Sequence, residues 1–179
     1  MIYSIGHGNK DIKQFLDELS SFEVKFLIDV RTKPYSRFWP HFDREHLQLK
    51  LQQDAIRYIF LGEKLGGLPN DPKCYSDGKV DYDLLKSNDA FLEGIERLIN
   101  AHKQNLKVAV MCSESDPEQC HRSKAIGAVL EEEGISMTHI IARDISKDQA
   151  TVMNELTRGR AGPDLFGEQP SFTSRKKYR

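Results

Sequence analysis

Residues of several chemically capable types lie close together between Cys112 and Arg122. The segment reads Cys-Ser-Glu-Ser-Asp-Pro-Glu-Gln-Cys-His-Arg and carries two thiols, an imidazole, a guanidinium and three carboxylates. Thiols beside an imidazole and a guanidinium serve in nucleophilic catalysis and in zinc coordination. The segment therefore predicts a reactive or metal-binding site, and the alternative is a structural loop that holds inert thiols.

Cys120 is the candidate with the strongest reason to ionise. Together with His121 and Arg122 it precedes an apolar stripe at residues 125–130 that predicts a helix. Free N–H groups and the helix dipole favour negative charge in the first turn, and neighbouring cations lower the pKa of a thiol further. We therefore expect Cys120 to be a catalytic thiolate, with His121 as a catalytic neighbour and Arg122 as an anion anchor.

Cys112 is the second candidate nucleophile. It follows the apolar run of residues 108–111, which predicts a buried strand, and an apolar environment makes a thiol less acidic. Glu114 is one of three acidic residues in the connecting loop, which are either solvated or include a general acid or base. The residues alone do not choose between Cys112 and Cys120.

Zinc coordination is a competing interpretation of the same residues. Cys112, Cys120 and His121, with His7 as a fourth ligand, would offer two sulfurs and two nitrogens to Zn²⁺. Seven residues lie between the two cysteines, more than in common structural zinc sites. We therefore expect no resident metal or other cofactor. Three cysteines are too few for a disulfide framework, and we expect Cys74 to take no part.

Polar residues also follow two other apolar runs. His7 comes directly after the first run of the chain, whereas Asp29 and Arg31 end the second. Open α/β sheets bind ligands at the carboxyl ends of their strands, so we expect these side chains in one cleft with Asp29 orienting Arg31. The structural alternatives are a turn histidine and a salt bridge. The anion-binding candidates are the four residues His7, Arg31, Arg37 and Arg122.

The elements that position these residues alternate along the chain. Short apolar runs predict strands at residues 2–5, 24–30, 56–61, 108–111 and 137–141. Apolar residues at helical spacing predict helices at residues 12–19, 91–99 and 125–130, with Asn88 as an N-cap, and more weakly at residues 43–52. This alternation predicts a single α/β domain with a mostly parallel sheet and helices on both faces.

Two segments break the alternation. Residues 62–87 are rich in Gly, Pro and charged residues, which predicts a long loop that acts as a lid or a mobile excursion. We expect its first residues to approach the cleft and its middle to be exposed. Glycines and prolines also interrupt the end of the chain, so the domain is predicted to span residues 1–158, followed by a basic tail at residues 159–179.

Length and composition limit the kinds of protein this chain resembles. The 179 residues suffice for about one domain, and 39% apolar with 30% charged residues is typical of a soluble globular protein. A net charge of -1 excludes a globally basic nucleic-acid binder but not a local basic patch. The sequence starts without a charged or apolar leader, so we expect a cytoplasmic protein without membrane contact.

The motifs carry a resemblance to a known family. Gly6-His7, Asp29-Val30-Arg31 with Pro34 and Ser36-Arg37, Tyr58 with Leu65-Gly66-Gly67, and Cys-x-Glu-x-Asp-Pro-x-x-Cys-His-Arg at residues 112–122 resemble the domain of unknown function family 488. The likeness extends from Met1 to about Ile141. It implies that the strand-end residues form the site, but it supplies no substrate. The chain departs at Gly8, where the family usually has Ser, so we expect no catalytic hydroxyl there.

A looser likeness concerns the rhodanese and dual-specificity phosphatase architecture. Those proteins place a catalytic Cys directly after a buried strand and an Arg near the start of the next helix, as Cys112 and Arg122 are placed here. The loop between them is acidic and longer here, so the likeness is one of arrangement alone.

These patterns favour a small enzyme with a reactive cysteine in a basic cleft, a cysteine-dependent transferase or hydrolase. Several potential cations in one cleft imply a small anionic substrate, either phosphate-bearing or nucleotide-like. The alternatives are a nucleic-acid binding or processing module with a Cys/His metal site, and a redox sensor in which Cys112 and Cys120 pair reversibly.

Overall fold

A computed structural model of the chain describes residues 1–159 and 171–178. Its strands, in chain order, are β1 (Ile2–Gly6), β2 (Phe26–Asp29), β3 (Arg57–Phe60), β4 (Tyr75–Ser76), β5 (Lys79–Val80), β6 (Val108–Cys112), β7 (Thr138–Ala142) and β8 (Ile145–Asp148). Six of them form one sheet in the order β3-β2-β6-β1-β7-β8, and β4 pairs with β5 in a separate hairpin. The first five strands of the large sheet are parallel and β8 is antiparallel, which confirms the predicted α/β fold.

Helices connect the strands. They are α1 (Ile12–Ser21), α2 (Arg44–Gln53), α3 (Gly62–Leu65), α4 (Tyr82–Lys86), α5 (Asp89–Lys103), α6 (Ala128–Glu132) and α7 (Gln149–Thr157), and a π-helix at Arg122–Gly127 leads directly into α6. Short 3-10 helices lie at Pro40–Phe42, Pro72–Cys74 and Pro117–Gln119. Asn88 caps α5 by accepting a hydrogen bond from the backbone N–H of Phe91, as the sequence predicts.

The two faces of the sheet bury separate apolar clusters. Successive strand residues alternate between them, so Tyr3 and Ile5 face one cluster and Ile2 the other. The first cluster packs against α1 and α2, and the second packs against α3, α5 and α6. Helices therefore cover both faces, and the edge formed by the strand ends is left open for a site.

The parallel register brings the ends of three strands together. Gly6 of β1 pairs with Cys112 of β6, and Asp29 of β2 pairs with Met111 of β6. The residues that follow these positions therefore leave the sheet side by side. This register confirms that the polar residues at the ends of β1, β2 and β6 share one edge.

The prediction of a long loop at residues 62–87 is wrong. The segment forms α3, a 3-10 helix, the β4–β5 hairpin and α4, and its middle contributes Cys74 and Val80 to the core. Each of these elements spans only two to five residues, which is too short to show a period in the sequence. The buried apolar residues of this segment are also separated by turns, so their spacing in the sequence resembles that of a loop.

The end of the chain returns to the domain. Residues 160–170 and 179, which belong to the predicted basic tail, lie outside the described part of the chain. Residues 171–178 run along β5 and α4, where Ser174 donates its N–H to the carbonyl of Val80 at 2.8 Å. The tail therefore contributes to the surface of the domain, which its composition did not indicate.

The sequence also missed β8 and α7. The residues of β8 are largely exposed, so they form no apolar run. Asp148 accepts a hydrogen bond from the N–H of Thr151 at 2.6 Å and caps α7, and this pairing is the sequence signal that could have revealed the helix. Across the described helices, none has the length and apolar character needed to span a membrane.

The burial of residues 62–87 is tested by a matched pair of substitutions in α4. Leu85 is fully buried, whereas Leu84 is 45% exposed. Leu85→Ala should lower the free energy of unfolding by about 2–5 kcal/mol because it leaves a cavity, and Leu84→Ala should cost less than about 1 kcal/mol. Urea denaturation measures both, and equal small losses would restore the loop interpretation.

Candidate active site

A cleft of about 260 Å³ lies at the carboxyl ends of β2 and β6. Four parts of the chain form its walls: the strand ends with the loop after β6, the turn after α3, Tyr82 of α4, and Ser174, Arg175, Lys176 and Tyr178 of the tail. The residues that carry its chemistry are Arg31, Lys33, Cys112, Glu114, Cys120, His121, Arg175 and Lys176. The cleft therefore joins most of the predicted motif to a part of the chain that was not predicted to belong to it.

Two thiols, an imidazole and a carboxylate form the floor of this cleft. The thiol of Cys112 donates to Oε2 of Glu114 at 3.1 Å, and the sulfur of Cys120 lies 3.6 Å from the same oxygen. Nδ1 of His121 is 3.6 Å from the sulfur of Cys120 and 4.0 Å from that of Cys112. The candidate catalytic residues Cys112, Cys120, His121 and Glu114 are thus in mutual contact.

The two thiols differ in acidity. Burial opposes ionisation of Cys120, but hydrogen bonding from Cys112 and the positive charges of Arg122 and His121 lower its pKa well below the usual value. The hydrogen bond to Cys120 and burial raise the pKa of Cys112 well above its usual value. Cys120 is therefore the more acidic of the two thiols and Cys112 the less acidic one.

The imidazole of His121 and the sulfur of Cys120 influence each other's ionisation. Burial lowers the pKa of the imidazole, but the charge and hydrogen bond of Cys120 outweigh it and raise the pKa above its ordinary value. Nε2 of His121 is buried without a hydrogen-bond partner among the described residues. The ring packs closely against Gly67, where a side chain would not fit because a Cβ atom would lie 2.8 Å from Nδ1 of His121.

Arg122 contacts the sulfur of Cys120 from the buried side of the site. Its side chain is 1% exposed and donates from Nε to the sulfur of Cys120 at 3.2 Å. Nη1 donates to Oγ of Ser4 at 3.2 Å, and Nη2 donates to the carbonyl oxygen of Glu114 at 2.5 Å. The guanidinium is thus directed at the protein's own groups, and its hydrogen bond to the sulfur favours ionisation of Cys120.

A buried polar chain supports Arg122 from the next two strands. Oγ of Ser4 lies 2.6 Å from Nδ1 of His139, and Nε2 of His139 lies 2.8 Å from Oε1 of Gln149. Gln149 in turn donates to the carbonyl oxygen of Ser123 in the π-helix at 3.0 Å. Burial lowers the pKa of His139 to about 4, so the ring is neutral and relays hydrogen bonds without adding charge.

Sequence reasoning missed this polar chain. Ser4 and His139 interrupt otherwise apolar strands, and a polar residue in a buried run is the signal that could have identified them. Gln149 gives no such signal, since it begins a helix whose apolar pattern is weak. Gly127 leaves room for the side chain of Gln149, because a Cβ atom at position 127 would lie 2.3 Å from Oε1 of Gln149.

Asp29 and Arg31 form a second buried charged group, as expected. Nη2 of Arg31 donates to Oδ2 of Asp29 at 2.7 Å, and Nε lies 3.0 Å from Oδ1. Oδ2 of Asp29 also accepts from the hydroxyl of Tyr58 at 2.7 Å, and the carbonyl oxygen of Phe42 accepts from Nη2 at 2.8 Å. Asp29 thus orients Arg31, whose side chain is largely occupied by contacts within the protein.

His7 lies behind Arg31, outside the lining of the cleft. Its Nδ1 donates to the carbonyl oxygen of Gly8 at 2.9 Å, and its Nε2 faces Nη1 of Arg31 at 3.4 Å. The ring stacks on Phe42 at 4.3 Å, and burial followed by the charge of Arg31 lowers its pKa to about 4. His7 is therefore neutral and does not belong to the Cys/His cluster, so the structure does not support it as a zinc ligand.

The departure at Gly8 has a local explanation. Gly8 adopts a φ of +52°, and a Cβ atom there would lie 2.0 Å from Oγ of Ser115. The side chain of Ser115 therefore occupies the space that a serine at position 8 would need. A hydroxyl is present at this point, but it comes from the loop after β6.

Arg37 is not brought to the cleft. It is exposed in the turn before α2, together with Tyr35 and Phe38. Lys33, which lies four positions earlier and was not singled out in the sequence, lines the cleft instead. Charge in a turn does not reveal which way the side chain points, so the two residues could not be told apart.

The same floor residues could hold a metal ion. The ligand atoms of Cys112, Cys120 and His121 all lie within 4.8 Å of one another, and all three residues are buried. Two thiolates and an imidazole are a donor set that Zn²⁺ accepts, with a fourth position left for water or substrate. Glu114, whose Oε2 is near both sulfurs, is the nearest further oxygen donor.

Substitution tests how much the buried pair of Asp29 and Arg31 contributes to the stability of the fold. Asp29→Asn removes the charge that compensates a guanidinium only 4% exposed, so it should lower the free energy of unfolding by about 3–5 kcal/mol. The matched control is Asp83→Asn, which breaks an exposed pair with Lys86 and should cost less than about 1 kcal/mol. Chemical denaturation gives both values, and similar losses would contradict a structural role for the buried pair.

Comparison with known proteins agrees with the motif. Residues 11–129 match the family described as Domain of unknown function DUF488, a range that includes the floor of the cleft and more than half of the chain. Neither a curated protein nor a solved structure matches the chain. The likeness to the rhodanese and phosphatase architecture is therefore not confirmed. On the strength of the family match, the chain belongs to the DUF488 family.

Proposed function

We propose that this protein is a cysteine-dependent enzyme that acts on a small anionic substrate. The observation that carries the proposal is the contact of the Cys120 sulfur with Arg122 and His121 at the floor of the cleft, which favours the thiolate form. A thiolate is the nucleophilic form of cysteine, and its stabilisation beside two cations is typical of reactive cysteines. The buried, unpaired cysteines also suit a reducing compartment such as the cytoplasm.

The arrangement suits a two-step group transfer to water. In the first step the lone pair of Cys120 Sγ bonds to the electrophilic centre, the bond to the leaving group breaks, and the leaving group takes a proton from the His121 imidazolium. In the second step water attacks the covalent intermediate, neutral His121 takes the proton of the water, and Cys120 leaves as a thiolate. In this scheme the thiol of Cys112 turns from Glu114 to donate its proton to the returning thiolate, and the freed carboxylate of Glu114 accepts a hydrogen bond from the water and orients it.

The charge of the cleft supports an anionic substrate. Four cationic side chains line it, against the single carboxylate of Glu114 among the described lining residues. They are Arg31, Lys33, Arg175 and Lys176. A volume of about 260 Å³ admits a small molecule or a chain end, so we favour a phosphate-bearing small molecule over a folded nucleic acid.

A metal-dependent module is the second candidate. The proximity of the Cys112, Cys120 and His121 ligand atoms favours it, and in this case the basic cleft would hold the phosphates of a nucleic acid. The third interpretation, a redox sensor, uses the contact between the same two cysteines. All three functions depend on the floor of the cleft. They differ in the role of the sulfurs, which serve as a nucleophile, as metal ligands or as a reversible disulfide.

Alkylation tests the thiolate of Cys120. Reaction with iodoacetamide depends on the thiolate, so in Cys112→Ser, which keeps a hydroxyl donor, the rate should reach half its maximum well below the pH of about 8.5 expected for a free cysteine. In the matched variant Cys120→Ser the remaining Cys112 should react only at higher pH, because burial and the charge of Glu114 still raise its pKa after Cys120 is removed. Mass spectrometry identifies the alkylated residue. If both variants react only above about pH 8.5, the nucleophile proposal fails.

Metal content separates the two main candidates. The nucleophile proposal expects the purified protein to contain far less than one equivalent of zinc by elemental analysis, and its alkylation to be unchanged by a chelator. The metal alternative expects about one equivalent that is lost in Cys120→Ser and in His121→Ala, and alkylation that accelerates after chelation. Oligonucleotide binding that falls steeply with salt would add support to the nucleic-acid module.

A further inference from the structure

We propose that residues 171–178 form the substrate-recognition wall of the cleft, in which Arg175 and Lys176 bind an anionic group of the substrate. This inference rests on the proposed function, because it assigns the ligand chemistry of the same cleft. The anionic group is a phosphate or a similar oxyanion. The reactive floor and the recognition wall would then come from different parts of the chain.

The wall is held by backbone contacts. The N–H of Tyr82 donates to the carbonyl oxygen of Phe172 at 3.0 Å, and the N–H of Tyr178 donates to the carbonyl oxygen of Gly78 at 2.7 Å. Thr173 forms a β-bridge with Asp81. Backbone pairing of this kind does not depend on side-chain identity, so it fixes the path of the segment and leaves its side chains free.

One side chain in the segment is used for anchoring. Ser174 is 5% exposed, and its Oγ accepts from the N–H of Val80 at 2.9 Å and donates to the carbonyl oxygen of Lys176 at 2.8 Å. This local bond turns the chain at the point where Arg175 and Lys176 reach the cleft. The anchor and the two cations are therefore consecutive, and the first of them positions the other two.

The cations of the motif are committed elsewhere. Arg31 donates to Asp29 and to a backbone carbonyl, whereas Arg122 donates to Cys120, to Ser4 and to the backbone. Both are buried, so neither can turn toward a ligand without leaving a partner unpaired.

The cations of the wall are exposed instead. Lys176 has no ion-pair partner among the described residues, and Arg175 uses one nitrogen to donate to Oε1 of Gln119. Both line the cleft, and with Lys33 they are the lining cations of the described chain that are not buried. They are therefore the groups that a substrate oxyanion can reach without breaking a contact that the fold requires.

The family match supports the separation of roles. Residues 11–129 include Cys112, Glu114, Cys120 and His121, but the wall lies beyond the matched range. The floor thus lies inside the matched range, whereas the wall lies outside it. This division is expected when one reactive group is combined with recognition of a particular substrate.

The test uses two alkylating reagents of similar size and different charge. Iodoacetate is an anion and iodoacetamide is neutral, so the ratio of their rates at Cys120 reports the positive potential of the cleft. Lys176→Gln should lower this ratio about two- to fourfold at low ionic strength, as expected for the loss of one charge within several ångströms. Added salt should shrink the difference, because salt screens exposed charges.

Lys177 supplies the matched control. It is the same residue type, exposed and adjacent in the segment, but it does not line the cleft. Lys177→Gln should therefore leave the ratio within experimental error of the unmodified protein. Equal effects of the two substitutions, or no effect of either, would overturn the wall proposal.

Inorganic pyrophosphate provides a second measurement. It should protect Cys120 from iodoacetamide in the unmodified protein, and the concentration that halves the rate should rise severalfold in Lys176→Gln but not in Lys177→Gln. Gln119→Ala keeps both cations but removes the contact of Arg175, so weaker protection there would assign a positioning role to Gln119. Equal protection in the two lysine variants would contradict the wall, whereas failure of Cys120 to react as a low-pKa thiol would refute the proposed function separately.

Discussion

The burial of the Arg122 guanidinium is the constraint on which the candidate site depends. A charge removed from water needs compensation from its neighbours, and breaking such a group costs several kcal/mol, on the order of 3–5. Its acceptors are a backbone carbonyl, a hydroxyl and the sulfur of Cys120, and of these only the sulfur can carry a formal charge. Under the proposed function the Cys120 thiolate is the counter-ion of Arg122 as well as the reactive group, so the stability of the fold and the acidity of Cys120 are linked.

The same guanidinium joins the parts of the site that the sequence separates. It connects β1 through Ser4, the loop after β6 through Glu114, and the start of the π-helix through Cys120. Hydrogen bonds from Ser4 to His139 and onward to Gln149 carry the support across to β7 and α7. A fully satisfied polar network of this kind is rigid, and a π-helix at its end is a feature that often accompanies functional sites. The position of Cys120 is thus determined by contacts on several elements.

The sequence predicts the fold and the floor of the site because both depend on local patterns. Apolar runs located the five parallel strands, and parallel pairing then required the ends of β1, β2 and β6 to meet at one edge. The direction of each side chain at that edge is not a local property. His7 and Arg122 were expected to bind a ligand, but packing against Phe42 and beneath Cys120 turns them toward the protein. Lys33 and the tail residues enter the cleft through tertiary contacts that have no sequence period.

Two buried charged groups explain why the arginines of the motif do not identify the substrate. Arg31 pairs with Asp29 and Arg122 donates to the sulfur of Cys120, so each is held by its own buried partner. A cation that meets a substrate must instead be one whose charge the fold does not need. Lys33, Arg175 and Lys176 satisfy this condition, since they are exposed at the cleft and can change without leaving a buried partner unpaired. Under the proposed function the floor is therefore constrained by folding and the rim by the ligand, so the chemistry of the floor can stay the same while the choice of anion changes at the rim.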